Sequence, residues 1–299
     1  MADELSNFAK ISLYEEVPCP HNRKVIDSKW VYKIKRGPNG DVKKYKAHLV
    51  AKGFTQVYGV DYMETFAPVA KFSTICFLLA LAAQHDLEIH QMDVKSAFLN
   101  GKLEEEIYLQ PPPGLKQAPK AWYTRLREVF KSLGFTRSYA DHSLFFKVED
   151  GTLIIVTVYV DDKLILSKSC EAIDWLKKQL SAEYDLSDLG EAHWILSMEI
   201  IQDRDKGTIE LSQRHYIEII LEHMGMQDGH TVATPIELNL KLKKLDSPEC
   251  NLKSYQSGLG ALMYAMLAIC PNLAFTVGIL SRHAASPGDH HLLALKRAH

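Results

Sequence analysis

The chain has 299 residues, 46% apolar and 24% charged, proportions that exclude a disordered or fibrous protein and leave room for two domains at about 150 residues each. Five cysteines, Cys19, Cys76, Cys170, Cys250 and Cys270, are odd in number and far apart, so no disulfide framework or zinc cluster follows from them and a reducing compartment is the simplest reading. The net charge of −2 is uneven, because residues 20–56 carry ten basic side chains against Asp27 and Asp41, so the remainder is strongly acidic.

The opening residues are polar and acidic, with no secretory signal. The longest apolar stretch, Leu259 to Ile279, is broken by Pro271-Asn272, so no membrane span is expected. The expected location is intracellular, cytoplasmic or nuclear. From Trp30 the residues alternate bulky and cationic, as in a half-buried strand. Gly37-Pro38-Asn39-Gly40 reads as a hairpin turn, and Asp41 to Val50 as the returning strand. Lys33 and Lys35 lie two apart and share one face of this ribbon, as do Lys44 and Lys46. A cationic face suits a phosphate-bearing partner; the plainer reading is a solvated lysine-rich hairpin.

Ser73 reads as the N-cap of a helix over Thr74 to Gln84. Leu87 to Val94 reads as a strand carrying Asp93. Trp122, Leu126, Val129, Phe130 and Leu133 have helical spacing, stopped by Gly134. Leu153 to Val160 is apolar on both faces, as in a strand buried within a sheet. Asp161-Asp162 interrupts it and Leu164 to Leu166 resumes it. Helices are predicted over Glu171 to Tyr184 and Arg214 to Met224, with a hairpin of Trp194 to Ile201 and Gly207 to Leu211 between them. Residues 227–254 read as a polar linker, and helices dominate from Ser257 onward. Strands and helices mix without regular alternation, which predicts an α+β fold.

Adjacent aspartates at an apolar hairpin tip are costly unless a cation sits against them; a solvated Asx-turn is the alternative. If the Asp93 strand neighbours that hairpin, Asp93 and Asp161 converge. Such a carboxylate set suits Mg²⁺ completed by water and substrate phosphate, and two such ions serve in-line phosphoryl displacement.

Several blocks then carry a resemblance. They are Trp30 to Lys33, Tyr45 to Gln56, Gln91 to Gly101, Gly114 to Tyr123, Tyr159 to Asp162, Leu186 to Glu191, Leu211 to Gln213, Gly260 to Tyr264 and Leu280 to Arg282. In this order they resemble the reverse transcriptase of copia-type LTR retrotransposon Pol polyproteins, over roughly residues 25–299. The resemblance implies a right-hand polymerase with a mixed antiparallel sheet. Its parts would be a lead-in at 1–24, a fingers hairpin at 25–66, a palm at 67–202 and a helical thumb or connection region at 203–299.

It also implies an RNA template, a DNA primer, deoxynucleoside triphosphates and two Mg²⁺, with Mn²⁺ as a substitute. Asp93 and Asp161 would bind both ions and Asp162 would support them. Phe98 would lie under the sugar and exclude a 2′-hydroxyl, with core packing as its alternative role. Lys116 and Gln117 would flank the nucleotide, and Lys33, Lys35, Lys46 and Lys52 would meet phosphates.

The departures from the family pattern are specific. Pro111-Pro112-Pro113 runs straight into Gly114, where the family carries roughly two dozen further residues. His48 stands for an Arg, Ser197 for the Gly of the primer-gripping hairpin, and Ile269-Cys270-Pro271-Asn272 departs from the usual pattern. Lys163 follows the aspartates where an apolar residue is usual. By alternation it shares the face of Asp161, where its ammonium would compete with Mg²⁺. On this resemblance, neither a ribonuclease H domain after His299 nor an upstream integrase is expected within these 299 residues. Two other readings stay open: a catalytically dead relic that still binds nucleic acid, and a two-metal nuclease.

Overall fold

The computed structural model describes residues 17, 25–36, 42–59, 61–95, 97–103, 116–237, 240, 242–243 and 250–299. The expected Asn39-Gly40 turn, the acidic run 104–106 and the Pro113–Gly114 junction lie outside them. Two compact units form, residues 1–70 with 88–190, and residues 71–87 with 191–299; the latter includes helix α1 (Phe72–His85).

In the first unit, β1 (Ser28–Arg36) and β2 (Val42–Ala51) make the antiparallel ribbon. Its register sets Lys33 opposite Lys46 and Lys35 opposite Lys44. Directly opposed residues share a face, so the four lysine positions line one side. Trp30, Tyr32, Ile34 and Tyr45 line the other, where Tyr32 and Tyr45 are exposed.

The main sheet contains β3 (Glu88–Val94), β4 (Thr136–Arg137), β5 (Leu144–Glu149), β6 (Thr152–Tyr159), β7 (Asp162–Ser167) and β8 (Leu186–Glu191). Its order is β4-β5-β6-β7-β3-β8. One face is covered by α2 (Ala118–Ser132) and α3 (Cys170–Glu183). Trp122, Leu126 and Phe130 of α2, with Ile173, Leu176 and Leu180 of α3, bury Met92, Val156, Val158 and Ile165. Ile89, Ile155, Leu164 and Leu166 of the opposite face are buried as well, which explains the unbroken apolar run of β6 and β7. Ser169 caps α3 by accepting from the Ala172 amide. Gly134, at φ +82°, terminates the region after α2. The 3-10 turn Ala97–Asn100 leads to Gly101, where a Cβ would lie 2.5 Å from the Trp122 amide nitrogen. Only glycine permits that approach.

The second unit pairs β9 (Trp194–Ile195), β10 (Met198–Asp203) and β11 (Thr208–Ser212) in the order β11-β10-β9. Helices α4 (Arg214–His223), α5 (Leu252–Ala268), α6 (Ala274–Ser281) and α7 (Asp289–Ala298) follow. Tyr255, Leu259, Leu262, Val277, Leu280 and Leu295 form a core among them, and the Tyr255 hydroxyl donates to the Leu280 carbonyl at 2.9 Å. Among the described residues no helix is long and apolar enough to cross a membrane.

The α+β expectation holds, with four local corrections. Helix α1 starts at Phe72, before Ser73, and its cap residue Lys71 makes no side-chain capping bond. The strand after the aspartates resumes at Asp162 rather than Leu164, because Asp162 pairs with both Tyr159 and Asp93. Trp194 to Ile201 is not one strand, since Leu196 and Ser197 fold it back. Strands β4, β5 and β8 add to the elements read from the sequence.

Candidate active site

The Tyr159–Asp162 pairing leaves Val160 and Asp161 as a two-residue turn between β6 and β7. Val160 sits at φ +55°. A positive first φ suits a tight hairpin, yet it is strained for a β-branched residue, and such strain persists only where the surroundings impose it. Here they do. The Val160 carbonyl accepts the Trp122 indole Nε1–H at 3.0 Å. The Asp161 carbonyl accepts the Val94 amide at 3.0 Å and the Lys163 Nζ at 3.3 Å.

Asp93 and Asp162 are direct partners across β3 and β7, so they share one face of the sheet. Gln91, two residues before Asp93 and on the same face, donates its amide to Asp162 Oδ1 at 3.0 Å. Asp161 stands at the adjacent tip, its carbonyl tied to the residue after Asp93. All three carboxylates are half-buried. Burial holds the Asp162 carboxyl above its usual range; the Gln91 hydrogen bond opposes that rise, and the Asp93 charge adds to it. Crowded like charges of this kind are relieved by a cation. Among the described residues no group of three or more acidic, histidine or cysteine side chains is placed to hold a metal ion, so the three aspartates do not by themselves complete such a site. The paired Asp93 and Asp162 supply the oxygen ligands that a hard divalent ion takes, with the rest of its shell left to water and phosphate.

Lys163 reaches the aspartate turn from the core side of β7. It lies opposite Met92 and Val158, both core residues, and is fully buried. Its ammonium stands 5.2 Å from the centre of the Trp122 ring and bonds the Asp161 backbone carbonyl. Alternation carries its side chain away from the Asp93–Asp162 face. Burial pushes its amine down to about 8, against the Asp161, Asp93 and Asp162 charges that hold it up.

A family model described as reverse transcriptase (RNA-dependent DNA polymerase) matches residues 11–238. The chain belongs to the reverse transcriptase family. It is 39% identical, over 99% of its length and 24% of the relative's, to the retrovirus-related Pol polyprotein from transposon TNT 1-94 of Nicotiana tabacum. It is 34% identical, over 94% of its length and 20% of the relative's, to that from transposon RE1 of Arabidopsis thaliana. A putative transposon Ty5-1 protein of Saccharomyces cerevisiae is 30% identical over 69% of this chain and 73% of its own length. The chain thus spans a quarter or less of the plant polyproteins it matches, which are of the copia type. The tobacco match runs over 323 positions, more than the 299 residues of this chain. At least two dozen positions of that relative therefore have no counterpart here.

The other residues expected to serve this reverse transcriptase fold fall in separate places. Phe98 is 41% exposed, so its ring is not spent on the core, whereas its neighbour Ala97 is buried. Gln117 is buried: its amide donates to the Asp61 carbonyl and its oxygen accepts from Gln56 Nε2, both at 3.0 Å. Gln56 Oε1 in turn accepts the Lys116 amide at 2.8 Å. The Lys116 ammonium stands 4.9 Å from the centre of the Tyr62 ring. Lys116 and Gln117 are thereby docked together on the loop that leaves the ribbon. Lys52 forms an ion pair with Asp27 at 2.8 Å. Lys33, Lys35 and Lys46 stay together on the ribbon register. Sequence reasoning passed over Gln91, Gln56, Tyr62 and the indole of Trp122. Gln91 carried a usable signal, its two-residue spacing from Asp93; the others depend on contacts between distant segments.

Proposed function

We propose that this chain is the RNA-directed DNA polymerase domain of a copia-type retrotransposon, extending a DNA primer on an RNA template with deoxynucleoside triphosphates. The observation that carries the reading is the register pairing of Asp93 with Asp162, beside the turn that bears Asp161. Residues 25–66 serve as fingers, 67–202 as palm and 203–299 as thumb or connection, after a lead-in at 1–24. Asp93 and Asp161 would hold two Mg²⁺, or Mn²⁺, with Asp162 supporting them. When bound, these ions supply charge neutralisation at the attacking and leaving oxygens of the α-phosphate. The exposed ring of Phe98 would pack against the sugar, where one more oxygen has no room. The lysine face of the ribbon would meet phosphates, with Lys52, Lys116 and Gln117 setting the loop and helix end nearby.

Primer extension on an RNA template with Mg²⁺ tests this directly. Incorporation that is lost in Asp161→Ala supports it. A folded wild-type chain without incorporation overturns it. A second reading, a relic that binds nucleic acid without chemistry, draws on the missing positions relative to the tobacco polyprotein. Binding without incorporation, weakening with salt by a log–log slope of about −0.7 to −0.9 per phosphate contact, selects the relic.

A further inference from the structure

We infer that Trp122 is a positioning residue whose indole N–H sets the aspartate turn in its metal-presenting form; this rests on the polymerase reading above. The turn has two peptide carbonyls, and both are bonded from the core side: Val160 by Trp122 and Asp161 by Val94 and Lys163. Val160 is at φ +55°, a conformation that a rotation of the adjoining peptide would relieve. Such a rotation swings the Val160 carbonyl off Trp122 and re-aims Asp161. The indole bond opposes it.

Trp122 is itself fixed on several sides. It is 2% exposed, and a buried indole N–H requires an acceptor. The Tyr184 ring meets it edge-on at 5.0 Å and the Lys163 ammonium lies over its ring. Behind it, the Gly101 backbone approaches too closely for any side chain. A phenylalanine would keep the ring contacts and lose only the donor, so the assignment concerns the N–H rather than the bulk. Outer partners that orient ligands typically govern metal affinity by tenfold or more.

The test compares Trp122→Phe with Tyr123→Phe in the full chain, with Mn²⁺ as the probe and free Mn²⁺ read by electron paramagnetic resonance. Tyr123 is equally a buried aromatic of α2, and its hydroxyl donates to the His142 carbonyl at 2.6 Å rather than to either turn carbonyl. Trp122→Phe is expected to weaken Mn²⁺ binding about tenfold, and Tyr123→Phe to leave it within twofold although it also loses a buried hydrogen bond. Equal affinity in wild type and Trp122→Phe, or equal loss in both variants, overturns the inference and leaves the polymerase reading standing. A folded wild type that binds no Mn²⁺ overturns the metal-site reading, and the inference with it. Should Trp122→Phe not fold, the wild-type chain answers by nitrogen–proton correlation spectra. Mg²⁺ is expected to shift the slowly exchanging Trp122 indole signal, and an unmoved signal overturns the inference.

Discussion

Among the described residues, two hairpins close over two-residue turns that lack glycine yet hold at least one residue at positive φ. In the first, between β6 and β7, Val160 is at +55°; in the second, between β9 and β10, Leu196 and Ser197 are at +50° and +60°. In each, an aromatic side chain on a helix donates to the carbonyl of the first turn residue, Trp122 to Val160 and the Tyr264 hydroxyl to Leu196. Their surroundings differ. The first closes strands buried on both faces of a six-stranded sheet, whereas the second closes on a two-residue strand whose Trp194 is 41% exposed. A turn held on all sides can carry both backbone strain and crowded carboxylates. The second turn, bonded by the Tyr264 hydroxyl at a half-exposed strand end, carries backbone strain without carboxylates.

The sharpest way to break this comparison is to remove charge from the strand beside the first turn. Asp93→Asn is expected to lower single-turnover primer extension by on the order of a thousandfold, or about 4 kcal/mol. Its thermal midpoint should not fall, because a repelling neighbour of Asp162 is gone. Next in size is the support behind the turn. Gly101→Ala forces a Cβ into the α2 backbone and should cost about 3 kcal/mol or more in denaturant unfolding; an unchanged midpoint would show that the approach is not needed.

Lys163→Met replaces a buried cation by an apolar side chain and should stabilise the metal-free chain by on the order of 2 kcal/mol at pH 7. The sign with pH follows from its amine, lowered from 10.5 to about 8 by burial. Between those values the unfolded chain holds the proton and the folded chain does not, so wild-type stability rises with pH. The advantage of the methionine variant should therefore shrink from pH 8 upward and be gone near 10.5. A constant difference would mean that Lys163 titrates normally. The smallest effect belongs to the second turn. Ser197→Gly removes the penalty of a left-handed backbone and should raise stability by about 1 kcal/mol, read as a shifted midpoint at constant slope.

Much of the first turn was legible because its signals are local. The apolar run of β6, the adjacent aspartates and the strand ending near Asp93 mark the sheet and the carboxylates without any knowledge of tertiary contacts. The resumption of pairing at Asp162 was missed because charge reads as an interruption, while at a solvated sheet end it is tolerated. The Ser73 cap failed for a related reason: capping preference is weak beside the packing that fixes where α1 begins. The fold-back at Leu196-Ser197 carried no glycine to announce it. The bond from Trp122 to Val160 joins residues 38 apart, and neither residue type advertises the other.

The ribbon register has a consequence of its own. Lys33 against Lys46 and Lys35 against Lys44 make two rungs of like charge, each of which works against strand pairing in water. A polyanion lying along that side would offset the repulsion, so strand pairing and the proposed binding would be linked. Added salt would then act in two directions, tightening the ribbon by screening while weakening the hold on a polyanion that the proposed function requires.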